Sequence, residues 1–444
     1  MAVIRRAPLV AFLSLAPVVA GGQTPSCQSH VPKLLGAQLT VIGQDLRPFP
    51  SPYSGPMSLV GTGDQQVSQS YGLYGGMCVG AGIDVYVDAE MVRGSGISHA
   101  AGLAAVTNGD VLRQGSVDLG ESPYLARGFI RWTHAFRGGS PDTVTRAMDD
   151  LPRIVNAHRL EITAGRLAST DLFDLNRYAN STRTQFLNWV LFQNGAWDYA
   201  ANTRGYSNGL AVAWINSSWT LRAGVFQMPR QANGNVFDSD LGEARGENVE
   251  LTFQAPHGAV VRVLAYLNYA RMGRYRVADS IGAAMHTAPN IVADDAPGRT
   301  KGGVGLNAEL PLADGGETGV FARLGWNDGQ NESFAFTEVD RHLSTGLQLS
   351  GTHWGRPRDQ IGLAIAVDGL SSAHSDYLAA GGQGFLLGDG TLRYGPEIPT
   401  EAYYRAQLAP WIELSPDVQF IENPGYNRDR GPATVLTLRF NARY

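Results

Sequence analysis

The sequence predicts an all-β chain closed into a transmembrane antiparallel barrel of about sixteen strands, with a long loop folded into its lumen. Three observations carry that prediction. The first is a series of roughly ten-residue segments in which apolar and polar residues alternate between turn residues. The second is an export-type N-terminus with no membrane helix after it. The third is the final segment, "TVLTLRFNARY", where Leu436, Leu438, Phe440, Ala442 and Tyr444 alternate with Thr437, Arg439, Asn441 and Arg443. So regular a terminus reads as a strand held in a sheet, with the arginines turned to a wet interior and Tyr444 at the membrane interface.

The N-terminal "MAVIRRAPLVAFLSLAPVVAGGQ" has a positive start at Arg5 and Arg6, an apolar stretch from Ala7, and small residues up to Ala20. This is the pattern of a cleaved signal peptide, assigned to residues 1–22, with the barrel domain at 23–444. The apolar stretch is short and carries Pro8 and Pro17, which disfavours a retained anchor. Charge, Gly or Pro interrupts every later apolar run before it reaches the length of a membrane helix.

Composition agrees. The 444 residues include Gly 54, against Cys 2, which suits a chain of many turns. A formal net charge of -5 leaves no basic excess for displacing phosphate counterions, so no nucleic-acid partner is expected. Cys27 and Cys78 could pair in an oxidising compartment, but their spacing alone does not assign a bond.

The strands follow in order. "LLGAQLTVIG", "SYGLYGGMCVG" and "GIDVYVDAEMV" are the first three. "LARGFIRWTHAF" puts Ile130, Trp132 and Phe136 opposite Arg127, Arg131 and Thr133, and "HRLEITAGRL" puts Leu160, Ile162 and Ala164 opposite Arg159, Glu161 and Thr163. "GLAVAWINSSWTLRAGVF" is a hairpin with Trp214 and Trp219 beside its turn, as an aromatic girdle requires. Hairpins around "APHG" and "ADGG" follow, then "EVDRHLSTGLQLSG", "DQIGLAIAVDGL", "EAYYRAQLAPWIELSPDVQF" and the closing strand, expected to pair with "LLGAQLTVIG". Short turns ("NSS", "APHG", "ADGG", "APWIELSP") alternate with long connections, the asymmetry of tight periplasmic turns and long outer loops. A soluble sandwich or propeller would also alternate; the export signal and the aromatic-ended last strand decide against it.

One segment breaks the pattern. Residues 172–209, "LFDLNRYANSTRTQFLNWVLFQNGAWDYAANTRGYSNG", are too long for a turn and contain a helix-like stretch "TRTQFLNWVLFQ". Long ordered loops are usually functional, and in a channel this one would fold inward to narrow the pore. Its candidates for the narrow region are Arg183, Trp189, Trp197, Asp198 and Tyr199. Alternation places Arg127, Arg131, Arg159, Glu161, Arg222, Arg262, Arg323, Glu401, Arg405 and Arg439 on the lumen side. A charge at mid-depth on the lipid face would cost roughly 2–4 kcal/mol, so ten such residues must face water. Guanidinium forks and carboxylates exchange hydrogen bonds with hydroxyl-rich solutes, and an aromatic ring covers an apolar C–H face.

Catalytic and metal patterns are weak: neither HExxH nor a P-loop occurs, and the nine His residues lack metal-ligand spacing. A hydrolase can be written with Ser70, Ser98 or His99, but such neighbours arise by chance in a Ser-rich exported chain.

The segment "FDLNRYANSTRTQFLNWVLFQNGAWDYAANTRGYSNGLAVAW" resembles the carbohydrate-selective outer-membrane porin family, the OprB type. The resemblance extends through "KLLGAQ", "RPFPSPYSG", "GISHAAGLAAVTNGD", "GTHWGRPRDQIGLAI", "GDGTLRYGPEIPTEAYYRAQL" and "DVQFIENPGYNRDRGPATVLTLRFNARY", from about Lys33 to Tyr444. It implies a monomeric-pore barrel of sixteen strands through which glucose and related sugars diffuse, with no enzyme activity and no cofactor. One departure is the region "GGQTPSCQSHVPKLLGAQ", which lacks the "WGG"-type stretch of better-known members. The implied partners are small neutral sugars, outer-membrane lipid, and the outer-membrane assembly machinery reading the Tyr444 strand; monomer and homotrimer both stay open. The competing readings are a general or anion-leaning porin, an outer-membrane hydrolase, and a soluble sugar-binding β-protein.

Overall fold

The computed structural model describes residues 34–111 and 119–444. The signal segment and Cys27 lie outside these, and with them the Cys27–Cys78 pairing. The strands are β1 (Leu34–Leu46), β2 (Asp64–Gly80), β3 (Ile83–Gly94), β4 (Tyr124–Ala135), β5 (Pro141–Val144), β6 (Arg153–Asn156), β7 (Arg159–Leu167), β8 (Ser207–Ile215) and β9 (Trp219–Gln227). They continue as β10 (Arg245–Gln254), β11 (Val260–Met272), β12 (Ala296–Ala313), β13 (Thr318–Asn327), β14 (Arg341–Ser350), β15 (Gln360–Gly369), β16 (Ile398–Ala409), β17 (Ile412–Glu422) and β18 (Ala433–Arg443). All but β5 and β6 form one closed antiparallel barrel of sixteen strands, in which sequence neighbours pair and β18 meets β1. Closure removes every sheet edge, so no backbone N–H or C=O of the wall is left to lipid.

Side-chain direction follows the pleat. Along β15, Leu363, Ile365 and Val367 point out while Ala364, Ala366 and Asp368 are buried inside. Leu436 and Leu438 of β18 are likewise outward, with Thr437, Arg439 and Asn441 inward. The terminus is tied down as expected: the Tyr444 N–H donates to Ala37 O (2.9 Å) and the Ala37 N–H to Tyr444 O (3.2 Å). Tyr74 Oη adds a bond to the same carbonyl at 3.1 Å. The Tyr444 ring itself stands exposed, and Trp214 and Trp219 meet edge-on at 5.3 Å beside their turn. Val435 departs from the polar-inside rule because its end of the lumen is packed: it joins Leu46, Phe49, Leu59, Ile97 and Leu103 in a small apolar cluster.

At one end most connections are short: 81–82, 216–218, 255–259, 314–317 and 410–411, with 351–359 longer. Ala81 and Gly82 both have positive φ (52° and 78°), as a two-residue hairpin twisted with its strands demands. This is the periplasmic side in outer-membrane barrels. The other end carries the long loops, including 168–206, 273–295 with helix α2 (Tyr275–Met285) and 370–397 with α3 (Ser372–Ala379).

Two expectations are corrected. "APWIELSP" is not a turn: only 410–411 connect, and β17 already runs from Ile412. The helix-like stretch contributes a single turn, α1 (Trp189–Phe192), because the N–H groups of Leu187 and Asn188 are taken by the Glu401 carboxylate on the wall, which holds the chain extended there. Residues 136–158, at the short-turn end, carry an additional hairpin of β5 and β6, whose strands of four residues are too short to show a period.

Candidate permeation site

The lumen is occupied by loop 168–206, and many of the inward charges are its anchors. Arg323 of β13 is fully buried: it pairs with Asp174 at 3.0 Å and donates to the carbonyls of Asp174 (3.1 Å) and Ala179 (2.8 Å). Arg439 of β18 donates to Thr182 O and Gln185 O at 2.7 and 2.6 Å. Glu401 accepts from Leu187 and Asn188 at 2.6 and 2.9 Å. Arg222 donates to Leu172 O at 2.6 Å, and Arg262 pairs at 3.2 Å with Glu309, which accepts the Arg177 N–H at 2.7 Å. These bonds satisfy backbone groups that a loop buried in a barrel would otherwise leave unpaired. Arg405 lies 3.9 Å from Glu413, and Arg159 pairs with Glu161 (2.7 Å) and Asp142 (3.1 Å) near the short-turn end.

Trp197 and Asp198, expected at the narrow region, are buried within the loop packing instead. Trp197 Nε1 donates to Asn248 at 3.0 Å, and its ring meets Phe173. Asp198 pairs with Lys301 at 3.0 Å and accepts the N–H groups of Phe334 and Ala335, so no group of it is left for a solute. The ring of an inserted loop residue is apolar surface, and burying it against the wall is what holds the loop down.

Arg127, Arg131, Arg183, Trp189 and Tyr199 do border open space. Between the loop and the β3–β4 wall lies a chamber of about 220 Å³, bordered by Glu90, Asp110, Arg127, Asp171, Arg183 and Tyr199 among others. Arg183 donates Nε to Asp110 (2.7 Å) and Nη2 to Glu90 (3.1 Å), and bonds Gln38 through Nη1. Arg127 makes two 2.7 Å bonds to Asp171 and approaches Asp149 at 3.2 Å and Asp88 at 3.4 Å. Arg131 binds Asp150 at 2.6 Å. Burial pushes the Asp149 carboxyl up to about 6, against the opposing pull of Arg127. Trp189 stacks on Phe336 at 4.5 Å, with Tyr199 near-parallel beside both, forming a fixed aromatic wall.

The carboxylates Glu90, Asp110, Asp149 and Asp171 and the ring of Phe336 were not among the expected residues. Glu90 was legible in principle, since it lies inward on "GIDVYVDAEMV" in step with Asp84 and Asp88. The others sit in connections, where no alternation points a side chain. For the hydrolase reading, Ser70 bonds Asp110, Ser98 Oγ accepts from Val60, and His99 Nδ1 meets Ser95, so the His99 ring is engaged with a third serine rather than with Ser70 or Ser98.

A closed sixteen-stranded barrel with an apolar outer surface and a lumen narrowed by an inserted loop defines an outer-membrane diffusion channel. The sequence profile described as carbohydrate-selective porin, OprB family, matches residues 85–444, and the chain belongs to that family. It is a carbohydrate-selective outer-membrane porin, and family and fold together point to a channel rather than an enzyme. The fold is similar to that of Pseudomonas putida OprB in its high-pH structure, with a TM-score of 0.66 at 16% identity over 93% of this chain and 94% of that one. The low-pH structure of the same protein gives 0.47 at 13% over 93% of each chain. An anion-selective porin from Comamonas acidovorans gives 0.49 at 8% over 93% of this chain and 99% of that one. No curated protein matches the sequence.

Proposed function

We propose that neutral sugars cross this porin through the chamber between loop 168–206 and the β3–β4 wall, exchanging water hydrogen bonds for those of Arg183, Arg127 and the facing carboxylates. The supporting observation is that Arg183 and Arg127, and Arg131 in the adjoining side chamber, are already paired with acids, while Arg204 at the chamber border lies over the Tyr124 ring. Three of the five N–H groups of Arg183 are engaged, which leaves two for a passing hydroxyl. Paired charges hold no strong field for an anion to fall into, whereas hydroxyl groups can bridge donor and acceptor side by side. This favours a sugar path over the anion-leaning alternative. The chamber walls come from one chain, so each copy would be its own conduit, whether alone or in a trimer.

Arg183→Ala is expected to lower glucose permeation about tenfold in liposome swelling, the scale of one hydrogen bond to a charged group. Permeation of a neutral solute of similar size with few hydroxyls should change much less. Equal changes for both solutes would refute the reading.

Export through cleavage of residues 1–22, and recognition of the β18 strand by the outer-membrane assembly machinery, belong to the same proposal. Tyr444 holds the barrel seam through bonds to Ala37 and Tyr74. Deleting Tyr444 should reduce the heat-modifiable barrel recovered in outer membranes severalfold, while the protein that does insert keeps its sugar preference. Wild-type recovery of the truncated chain would count against it.

A further inference from the structure

The segment 136–158 is by far the longest of the short-turn-end connections, and its tip turns into the barrel to meet Arg127 and Arg131. Four inward groups of β3 and β4 hold it there. Arg131 donates to Asp149 O (3.1 Å) and Asp150 (2.6 Å), Arg127 faces Asp149, Tyr86 Oη accepts the Leu151 N–H at 3.3 Å, and Asp84 binds Arg153 at 2.6 Å. Leu151 and Val155 are buried beneath it, so the tip is packed as well as ion-paired. A turn needs none of this to close two strands, since a two-residue connection serves for β2 and β3.

The tip occupies a definite place in the lumen. Met148 borders three spaces: the 220 Å³ chamber, a side chamber of about 230 Å³ beneath it, and a wider one of about 510 Å³. The wide space is bordered by Arg443 and Tyr444, at the short-turn mouth. No other described residue borders all three. Arg183 and Ser181 of the inserted loop face Met148 across the passage from the chamber to that mouth. Met148 is only half-buried, and its sulfur lies 3.5 Å from Arg127 Nη1. An unbranched thioether between two water-filled spaces presents a small apolar surface that can give way.

We propose that the 136–158 hairpin is a second size-selecting element of the pore, with Met148 the residue that every solute must pass between the chamber and the short-turn mouth. The proposal rests on the chamber being the sugar path. The narrow region is then double: loop 168–206 enters from the long-loop end and the hairpin from the opposite end. Discrimination by size would persist even where the loop contacts are relaxed.

The test uses the full-length porin with Met148→Trp, Met148→Gly, and a chain in which residues 138–156 are replaced by a Gly-Asn turn. Single-channel conductance in KCl is read together with liposome swelling by a hexose and a trisaccharide. Met148→Trp should cut conductance at least threefold and nearly abolish trisaccharide swelling. Met148→Gly and the hairpin replacement should raise the trisaccharide-to-hexose ratio severalfold. Conductance and solute ratio unchanged in both point variants would overturn the proposal, including where the replaced chain fails to insert. If Arg183→Ala still impairs glucose in that case, the chamber reading survives and only the hairpin's role is lost; if it does not, both fall.

Discussion

Arg323→Ala is expected to open the channel without dismantling the barrel. The guanidinium is fully buried and serves Asp174 together with the carbonyls of Asp174 and Ala179. Removing it leaves the buried Asp174 carboxylate with the Asn194 and Asn307 hydrogen bonds but no counter-ion, and takes the guanidinium donor from the Ala179 carbonyl; breaking a buried pair in this way costs about 3–5 kcal/mol. The sixteen-strand ladder does not depend on that side chain, whereas the seating of loop 168–206 does. Single-channel conductance should therefore rise severalfold and discrimination between mono- and disaccharides should fall. Heat-modifiable gel migration should stay that of an intact barrel. Conductance equal to wild type would show that the remaining anchors, among them Arg439, Glu401, Arg222 and Glu309, hold the loop without Arg323.

Arg127→Ala should shift charge selectivity more than size. It removes the cation shared by Asp88, Asp149 and Asp171, and leaves Asp171 and Asp149 bordering the chamber and the side chamber beneath it, with Asp88 behind them. A unit charge at 4 Å is worth about 1 kcal/mol even in bulk water, roughly a fivefold change in local ion ratio. The reversal potential in a KCl gradient should move toward the potassium value by that factor. Glucose flux should fall, because the paired donors of Arg127 are gone. An unchanged reversal potential would mean that the carboxylates neutralise by taking up protons, and repeating the measurement at higher pH distinguishes that case: the shift should then emerge.

Much of this molecule is legible in its sequence. Tyr444 at the seam, the outward leucines of β18 and the paired tryptophans at 214 and 219 all follow from period-two alternation against lipid. The site was legible only by side, not by role. Arg127 and Arg323 share the same inward parity, yet one borders the chamber and the other is sealed under the loop. Trp189 and Trp197 are eight residues apart in one loop, and only Trp189 borders the chamber. No local pattern separates them, because the difference lies in where each meets the far wall.

The sequence by itself determined the barrel, its strand number, its seam and the polarity of each face. Lipid enforces those through a cost that falls on every misplaced charge and every unpaired backbone group. The tertiary structure alone decided which inward charges anchor and which border the path, because Arg183 meets Glu90 and Asp110 across long stretches of chain. It alone placed the 136–158 tip in the lumen, since two four-residue strands carry too little pattern to announce themselves and their stability comes from ion pairs with Asp84 and Arg131 on a wall folded elsewhere.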